Sequence, residues 1–302
     1  MYKMMTLQVT LFVLIAVGFF LKKKGIFKET GQKNLTDLVI YVVLPCNIVN
    51  AFMVDFSLER LYACAGILLI SLGIQIFAVI YGKHVAARGE AEDRAKCIRY
   101  GIICSNAGFL GNPIAEGLYG PEGLLLASFY LLPQRIMMWS EGIAVFSGES
   151  DMKSTVKKVV THPCVVACFV GLGLMLSQAK LPVVVTDPIQ ALGRCNTALS
   201  MLVIGMILAD INVKQFLDVS LIRFAVHRLL IIPGLVLLAC RFLPVSDMVR
   251  SLSVLLAAMP AGATTSILAS KYDQDPKFAT ELVVSSTLLS LPSVALWSFL
   301  VL

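Results

Sequence analysis

Charge is what this sequence has least of. Only 15% of its 302 residues are Asp, Glu, Lys or Arg, while 58% are hydrophobic. A soluble domain carries about 25% charged residues. Mean hydropathy is +0.83. The composition excludes an ordinary water-soluble domain and points to an all-α, multi-pass membrane protein. Histidine is scarce as well. His84, His162 and His227 all stand near the ends of apolar runs, and no His-Glu-x-x-His occurs, which argues against an intramembrane metalloprotease. No Gly-x-x-x-x-Gly-Lys-[Ser/Thr] loop is present, so ATP-driven transport by this chain alone is not expected. The eight cysteines include no Cys-x-x-Cys pair. Cys164 and Cys168 lie one helical turn apart, but no His or carboxylate is close in sequence. They read as small apolar residues, and no metal or cofactor is expected. Net charge is +6, yet the basic residues sit between apolar segments and form no stripe, so nucleic acid is not an expected partner.

What is present is a series of apolar segments of bilayer length. Ten are expected, at 5–21, 35–54, 62–82, 100–118, 123–146, 160–178, 188–209, 221–243, 249–270 and 279–301. The first is no cleavable signal, because Lys22, Lys23 and Lys24 follow the apolar run instead of preceding it. If that segment runs outside to inside, 18 of the 25 basic residues fall on the inner side and six on the outer side, with Arg135 mid-span. The excess predicts both termini outside, in a multi-pass protein of the plasma membrane. Ten spans divide into two five-helix repeats of opposite insertion: 1–146, a cytoplasmic linker 147–161, and 162–302. Inverted repeats place a binding site at the midplane, where interrupted helices meet.

Two segments carry such interruptions at matching positions, the fourth and the ninth. Asn106 to Pro113 holds two Asn, two Gly and one Pro inside an apolar run. Pro113 lacks an N–H and frees the Phe109 carbonyl, while Gly108 and Gly111 ease unwinding. The second interruption is Met259-Pro-Ala-Gly-Ala-Thr-Thr-Ser266, with Pro260 and Gly262. Irregular backbone at membrane depth is tolerated only where protein buries it or a cavity is lined by it.

Four stretches resemble the auxin efflux carrier family of membrane transporters. They are Gly18–Ile26, Leu44-Pro-Cys-Asn-Ile-Val-Asn-Ala-Phe52, Asn106-x-Gly108-Phe109-x-Gly111-x-Pro113 followed by Tyr119-Gly120, and Pro260-Ala-Gly-Ala-Thr-Thr through Lys271-Tyr-Asp-Gln-Asp-Pro to Ser286-Thr-Leu-Leu-Ser290. The resemblance implies a ten-helix inverted-repeat fold like that of sodium/proton antiporters and bile-acid symporters, with helices four and nine crossing. It also implies transport of a small organic anion, of the malate, malonate or auxin kind. Pro292 departs from the family pattern by following the Ser-Thr-Leu-Leu-Ser run almost at once, which bears on the packing of the last helix.

Candidate site residues follow from chemistry. Asn106 is first: an amide can donate to a carboxylate and costs less to bury than a charge. Asn112 reads more as a cap beside Pro113. Pro45 breaks the second segment, and Asn47 and Asn50 share a face there. Arg135 is read as the only basic side chain near the middle of a span. It can bind a carboxylate bidentately, or pair structurally with Glu116 or Glu141. Thr264 and Thr265 follow the Pro260/Gly262 break at a half-helix N-terminus, which attracts anions. His227 and Arg228 are expected to snorkel at the inner surface, and Trp139 and Trp297 to be ordinary amphipathic aromatics. No Asp lies in the fourth, fifth or ninth segment, which argues against an aspartate proton relay; Glu116 or Glu141 remain as coupling groups. The leading expectation is a secondary carrier of a small organic anion. A membrane-embedded enzyme and a passive channel are the alternatives. Oligomeric state is open, with a homodimer admitted.

Overall fold

The computed structural model describes residues 2–147, 152–209 and 218–301. Residues 148–151 of the basic linker, and Lys214, lie outside them. The described chain is helical: α1 (Tyr2–Lys23), α2 (Glu29–Leu38), α3 (Leu44–Phe52), α4 (Leu58–Tyr81), α5 (Glu92–Ile103), α6 (Asn112–Trp139), α7 (Glu141–Ser147), α8 (Met152–Val160), α9 (Pro163–Ser177), α10 (Val183–Arg194), α11 (Asn196–Ala209), α12 (Val219–Val226), α13 (Ile232–Cys240), α14 (Asp247–Ala257), α15 (Thr264–Lys271) and α16 (Pro276–Val301). Among the described residues, the only β pairing is an isolated bridge between Ser105 and Ala261.

Among the described residues, six stretches are long and apolar enough to cross a membrane: Thr6–Lys23, Glu29–Phe52, Leu58–Ala86, Val183–Ala209, Val219–Cys240 and Pro276–Val301. The other four expected spans are not continuous long helices, each for a local reason. Segment 100–118 leaves the helix at Cys104, whose backbone is extended (φ −108°, ψ 100°). Segment 249–270 is interrupted between α14 and α15. Segment 123–146 is divided at Ser140 (φ −100°, ψ −91°). Segment 160–178 forms α9 of 15 residues, about 22 Å of helix at 1.5 Å per residue. Gly120 (φ 65°, ψ −151°) lies within α6, in a backbone region that only glycine occupies freely. It makes the turn between the fourth and fifth segments.

Proline shapes the helices in a consistent way. π-Helical turns at Val39–Val43, Ala107–Gly111 and His227–Ile231 each end two residues before a proline: Pro45, Pro113 and Pro233. A proline ring clashes with the carbonyl four residues back, and a widened turn gives it room. The chain therefore continues through Pro45 as one helix, Glu29–Phe52, and is not broken there as the sequence suggested. At Pro233 the freed carbonyl is that of Leu229. Trp297 Nε1 donates to it at 2.7 Å, so this tryptophan has a specific partner. Helix α16 runs unbroken through Pro292.

The chain forms two compact units, each drawing on both sequence halves. The first comprises Met1–Ala65, Asn112–Phe129 and Val160–Asp210. Water drives no association between helices inside a bilayer, so small residues that allow close approach carry the packing. A β-carbon on Gly18 would stand 2.2 Å from the Leu202 carbonyl oxygen, and one on Gly205 would stand 2.0 Å from that of Ile15. Helices α1 and α11 thus meet backbone to backbone. Helix α3 packs against α9 and α10, with Gly171 against the Phe52 ring and Gly193 against Asn47. The outward face of α1 shows Val9, Val13, Val17 and Phe20, a surface suited to lipid.

The second unit comprises Gly66–Gly111, Tyr130–Val159 and Ile211–Leu302. Helix α16 packs against α5, α12, α14 and α15. Outside the spans, Asp218 caps α12 by accepting from the Ser220 N–H at 2.8 Å. Arg94 bridges Asp218 at 2.9 Å and Asp275 at 3.6 Å, and lies over the Phe278 ring. Burial alone would raise the Asp218 pKa, but the Ser220 N–H and the Arg94 guanidinium outweigh it and hold the carboxyl below its ordinary value.

Candidate functional site: two interrupted helices joined by their backbones

The two interruptions of the second unit meet each other. Helix α5 ends at Ile103, and the chain is extended through Cys104 and Ser105 before the π-helical turn Ala107–Gly111. Helix α14 ends at Ala257, and α15 begins at Thr264. The Asn106 N–H donates to the Pro260 carbonyl at 2.7 Å, and the Gly262 N–H donates to the Cys104 carbonyl at 2.9 Å. These two bonds flank the antiparallel pair Ser105 and Ala261. Unwinding lies at 104–106, slightly earlier than Asn106–Pro113, because the widened turn accommodates Pro113 without further loss of helix.

Every backbone group exposed by such a break needs a partner at membrane depth. Gln134 Nε2 donates to the Ser105 carbonyl at 2.7 Å, and the Ser105 hydroxyl donates back to Gln134 Oε1 at 2.8 Å. The Ala261 N–H donates to Ser286 Oγ at 3.3 Å. Arg228 donates from Nε to the Met259 carbonyl at 2.9 Å and from Nη1 to the Ile102 carbonyl at 3.0 Å. Close approach demands small residues. A β-carbon on Gly262 would stand 3.4 Å from the Cys104 carbonyl oxygen, and one on Gly111 would stand 2.7 Å from the Leu256 side chain.

A crossing of two broken helices is an architecture of membrane carriers, and comparison with known proteins agrees. The model of the membrane transport protein family matches residues 3–298. The chain belongs to this family of membrane transporters, which contains the auxin efflux carriers. An uncharacterized transporter of Methanocaldococcus jannaschii is 27% identical over 299 residues, covering 96% of each chain. An uncharacterized transporter of Methanothermobacter thermautotrophicus is 28% identical over 295 residues, covering 95% of this chain and 94% of its own. The protein is thus a multi-pass membrane transporter.

Within this transporter the second unit holds Asn106, Gly108, Gly111, Arg135, Pro260, Gly262, Thr264 and Thr265. The Asn106 side chain is half-buried, and among the described residues its amide has no partner. Arg135 is 8% exposed. Neither Glu141 nor any other acid among the described residues of the second unit pairs with it. Its Nη2 stands 4.0 Å from where a Gly108 β-carbon would be, so the guanidinium lies beside the first interruption. Thr264 opens α15 with its hydroxyl 4.0 Å from Met138 Sδ. Thr265 is fully buried, and its hydroxyl lacks a partner.

The first unit holds Pro45, Asn47, Asn112 and Pro113. Asn47 Nδ2 donates to Glu116 Oε2 at 3.1 Å. The Asn47 Oδ1 and both amide atoms of Asn112 are buried without partners. Within the first unit, Glu116 thus answers Asn47.

Sequence reasoning missed three members of the crossing. Arg228 is 3% exposed, not snorkelling, and stands well inside the span Val219–Cys240, so Arg135 is not the sole mid-span cation. Gln134 is not singled out by the sequence, and Ser286 enters only as part of a motif. The available signal was the demand itself: unwound carbonyls at membrane depth require buried donors, and Gln134 and Arg228 are polar residues inside apolar runs.

Proposed function

We propose that this transporter is a secondary carrier of a small organic anion, a mono- or dicarboxylate, working by alternating access. The carrying observation is Arg135: a buried guanidinium with no acid of its own unit paired to it, beside Gly108 in the turn that follows the unwound backbone, in the unit that also holds the free amide of Asn106. An unpaired charge inside a membrane costs about 2.5–3.5 kcal/mol to insert, and a carboxylate ligand would offset that by a bidentate ion pair. Gly108 leaves the approach to the guanidinium open. Thr264 and Thr265, at the start of a half-helix, add hydroxyl donors where the dipole is positive. Asn47 and Asn112 are read as supporting polar groups of the first unit. The wider architecture belongs to the same reading: ten spans, two inverted repeats about the basic linker, both termini outside the plasma membrane, and no catalytic step. The matched positions of the two interruptions and the excess of basic residues on one side support it. Uptake of labelled malate and malonate into proteoliposomes is the test. Saturation with counterflow is expected; a linear, non-saturating flux would identify a channel, and absence of flux across a panel of small carboxylates would overturn the reading.

A further inference from the structure

Helices α5 and α14 both end at the crossing, so two sets of terminal carbonyls converge there. Each helix C-terminus carries roughly −0.5 of an elementary charge, and the two together carry about −1. In carriers with broken helices, carbonyls of this kind hold a coupling cation. Here one side chain fills that place. Arg228 Nε donates to the Met259 carbonyl, just beyond α14, and Nη1 donates to the Ile102 carbonyl in the last turn of α5. The guanidinium is buried, and no carboxylate pairs with it among the described residues. Among the described residues, its counter-charge is therefore the pair of helix ends. The π-helical turn His227–Ile231, required by Pro233, contains Arg228. An extra residue in a helix rotates everything beyond it by about 100°, so this turn sets the direction from which Arg228 approaches. His227, one residue earlier, bonds Tyr81 Oη at 2.5 Å, which anchors the same turn to α4.

We infer that Arg228 is a built-in cation: its guanidinium occupies a cation site formed by the C-terminal carbonyls of the two interrupted helices, and it is the positioning residue that holds them together. This stands on geometry alone and does not depend on the substrate being an anion. It does have a consequence for that reading. With the two negative helix ends neutralised, an anion beside Arg135 meets no repulsion from them.

Vacating the site should leave a receptor for a small planar cation. The probe is guanidinium chloride at millimolar, non-denaturing concentration, with choline chloride at equal ionic strength as control. The measurement is thermal unfolding of the detergent-purified full chain. Arg228→Ala is expected to melt several degrees below wild type and to recover part of that loss with guanidinium but not with choline. Wild type, whose site is full, is expected to show no guanidinium-specific shift. Arg228→Lys, a point charge lacking the two-pronged geometry, is expected to fall between the two. Equal responses to guanidinium and choline in Arg228→Ala overturn the inference. If Arg228→Ala does not accumulate, hydrogen exchange on Arg228→Lys carries the test. Faster exchange than wild type at the Asn106 and Gly262 amides is then expected, with α1 and α11 unchanged; equal exchange at those two amides overturns the inference.

Discussion

Replacing Gln134 with leucine should damage the crossing more than replacing its partner Ser105 with alanine. The Gln134 side chain closes a two-bond ring with Ser105, donating to its carbonyl and accepting from its hydroxyl, and both residues are buried. Leucine keeps the bulk but strands the carbonyl and the hydroxyl. A buried acceptor or donor left without a partner costs about 1–3 kcal/mol, and the site offers no bulk water as a substitute. Gln134→Leu should therefore cost about 2–6 kcal/mol, since two groups are orphaned. Ser105→Ala strands one group, the Gln134 Oε1 acceptor, and leaves the carbonyl satisfied, a loss of about 1–3 kcal/mol. The double variant should be no worse than Gln134→Leu, because the hydroxyl it removes is already stranded. Equilibrium unfolding in mixed micelles measures all three, and a double-mutant cycle isolates the coupling. Gln134→Leu within about 0.5 kcal/mol of wild type, the range of an unremarkable surface change, would refute the claim that this side chain satisfies the unwound strand.

Three further outcomes follow from local geometry. Gly205→Ala drives a methyl group into the Ile15 carbonyl and should destabilise by about 1–3 kcal/mol through overpacking; the same unfolding assay checks it, with exposed Gly73→Ala, which meets nothing nearby, as the neutral control. Gly120→Ala places a side chain at φ 65°, ψ −151° and should cost about 1–3 kcal/mol of backbone strain, read in the same way. The Asp218 carboxyl is held below its ordinary value by the Ser220 N–H and Arg94. Its contribution to stability is present above the unfolded value of about 3.9 and is lost as pH falls through the lower folded value. Asp218→Asn should accordingly melt below wild type at neutral pH, with the gap closing in acid; a gap independent of pH would contradict the assignment.

How much of this was legible in the sequence depends on the kind of signal. Pro260, Gly262, Asn106 and Gly108 announced two interruptions because breakers cluster there at matching positions of two apolar runs. The resemblance implied that the two segments cross; that their backbones bond directly, Asn106 to Pro260 and Gly262 to Cys104, was not legible. The exact unwinding point was not legible, because proline can be absorbed by a widened turn: Pro45, Pro113 and Pro233 all are, and the helix continues through each. Arg228 was misplaced for a related reason. An arginine early in a span reads as one that reaches back to water, and only the fold shows two helix ends waiting beside it. The Gln134–Ser105 ring joins residues 29 positions apart, a distance over which pattern carries no information.

The central claim is that a carboxylate binds at Arg135 and Asn106 beside the joined interruptions. The most direct measurement is a thermal-shift screen of the purified protein against small mono- and dicarboxylates, repeated on Arg135→Ala and Asn106→Ala. The account predicts at least one carboxylate that stabilises wild type and loses most of its effect in both variants. Full stabilisation retained by both variants would contradict it.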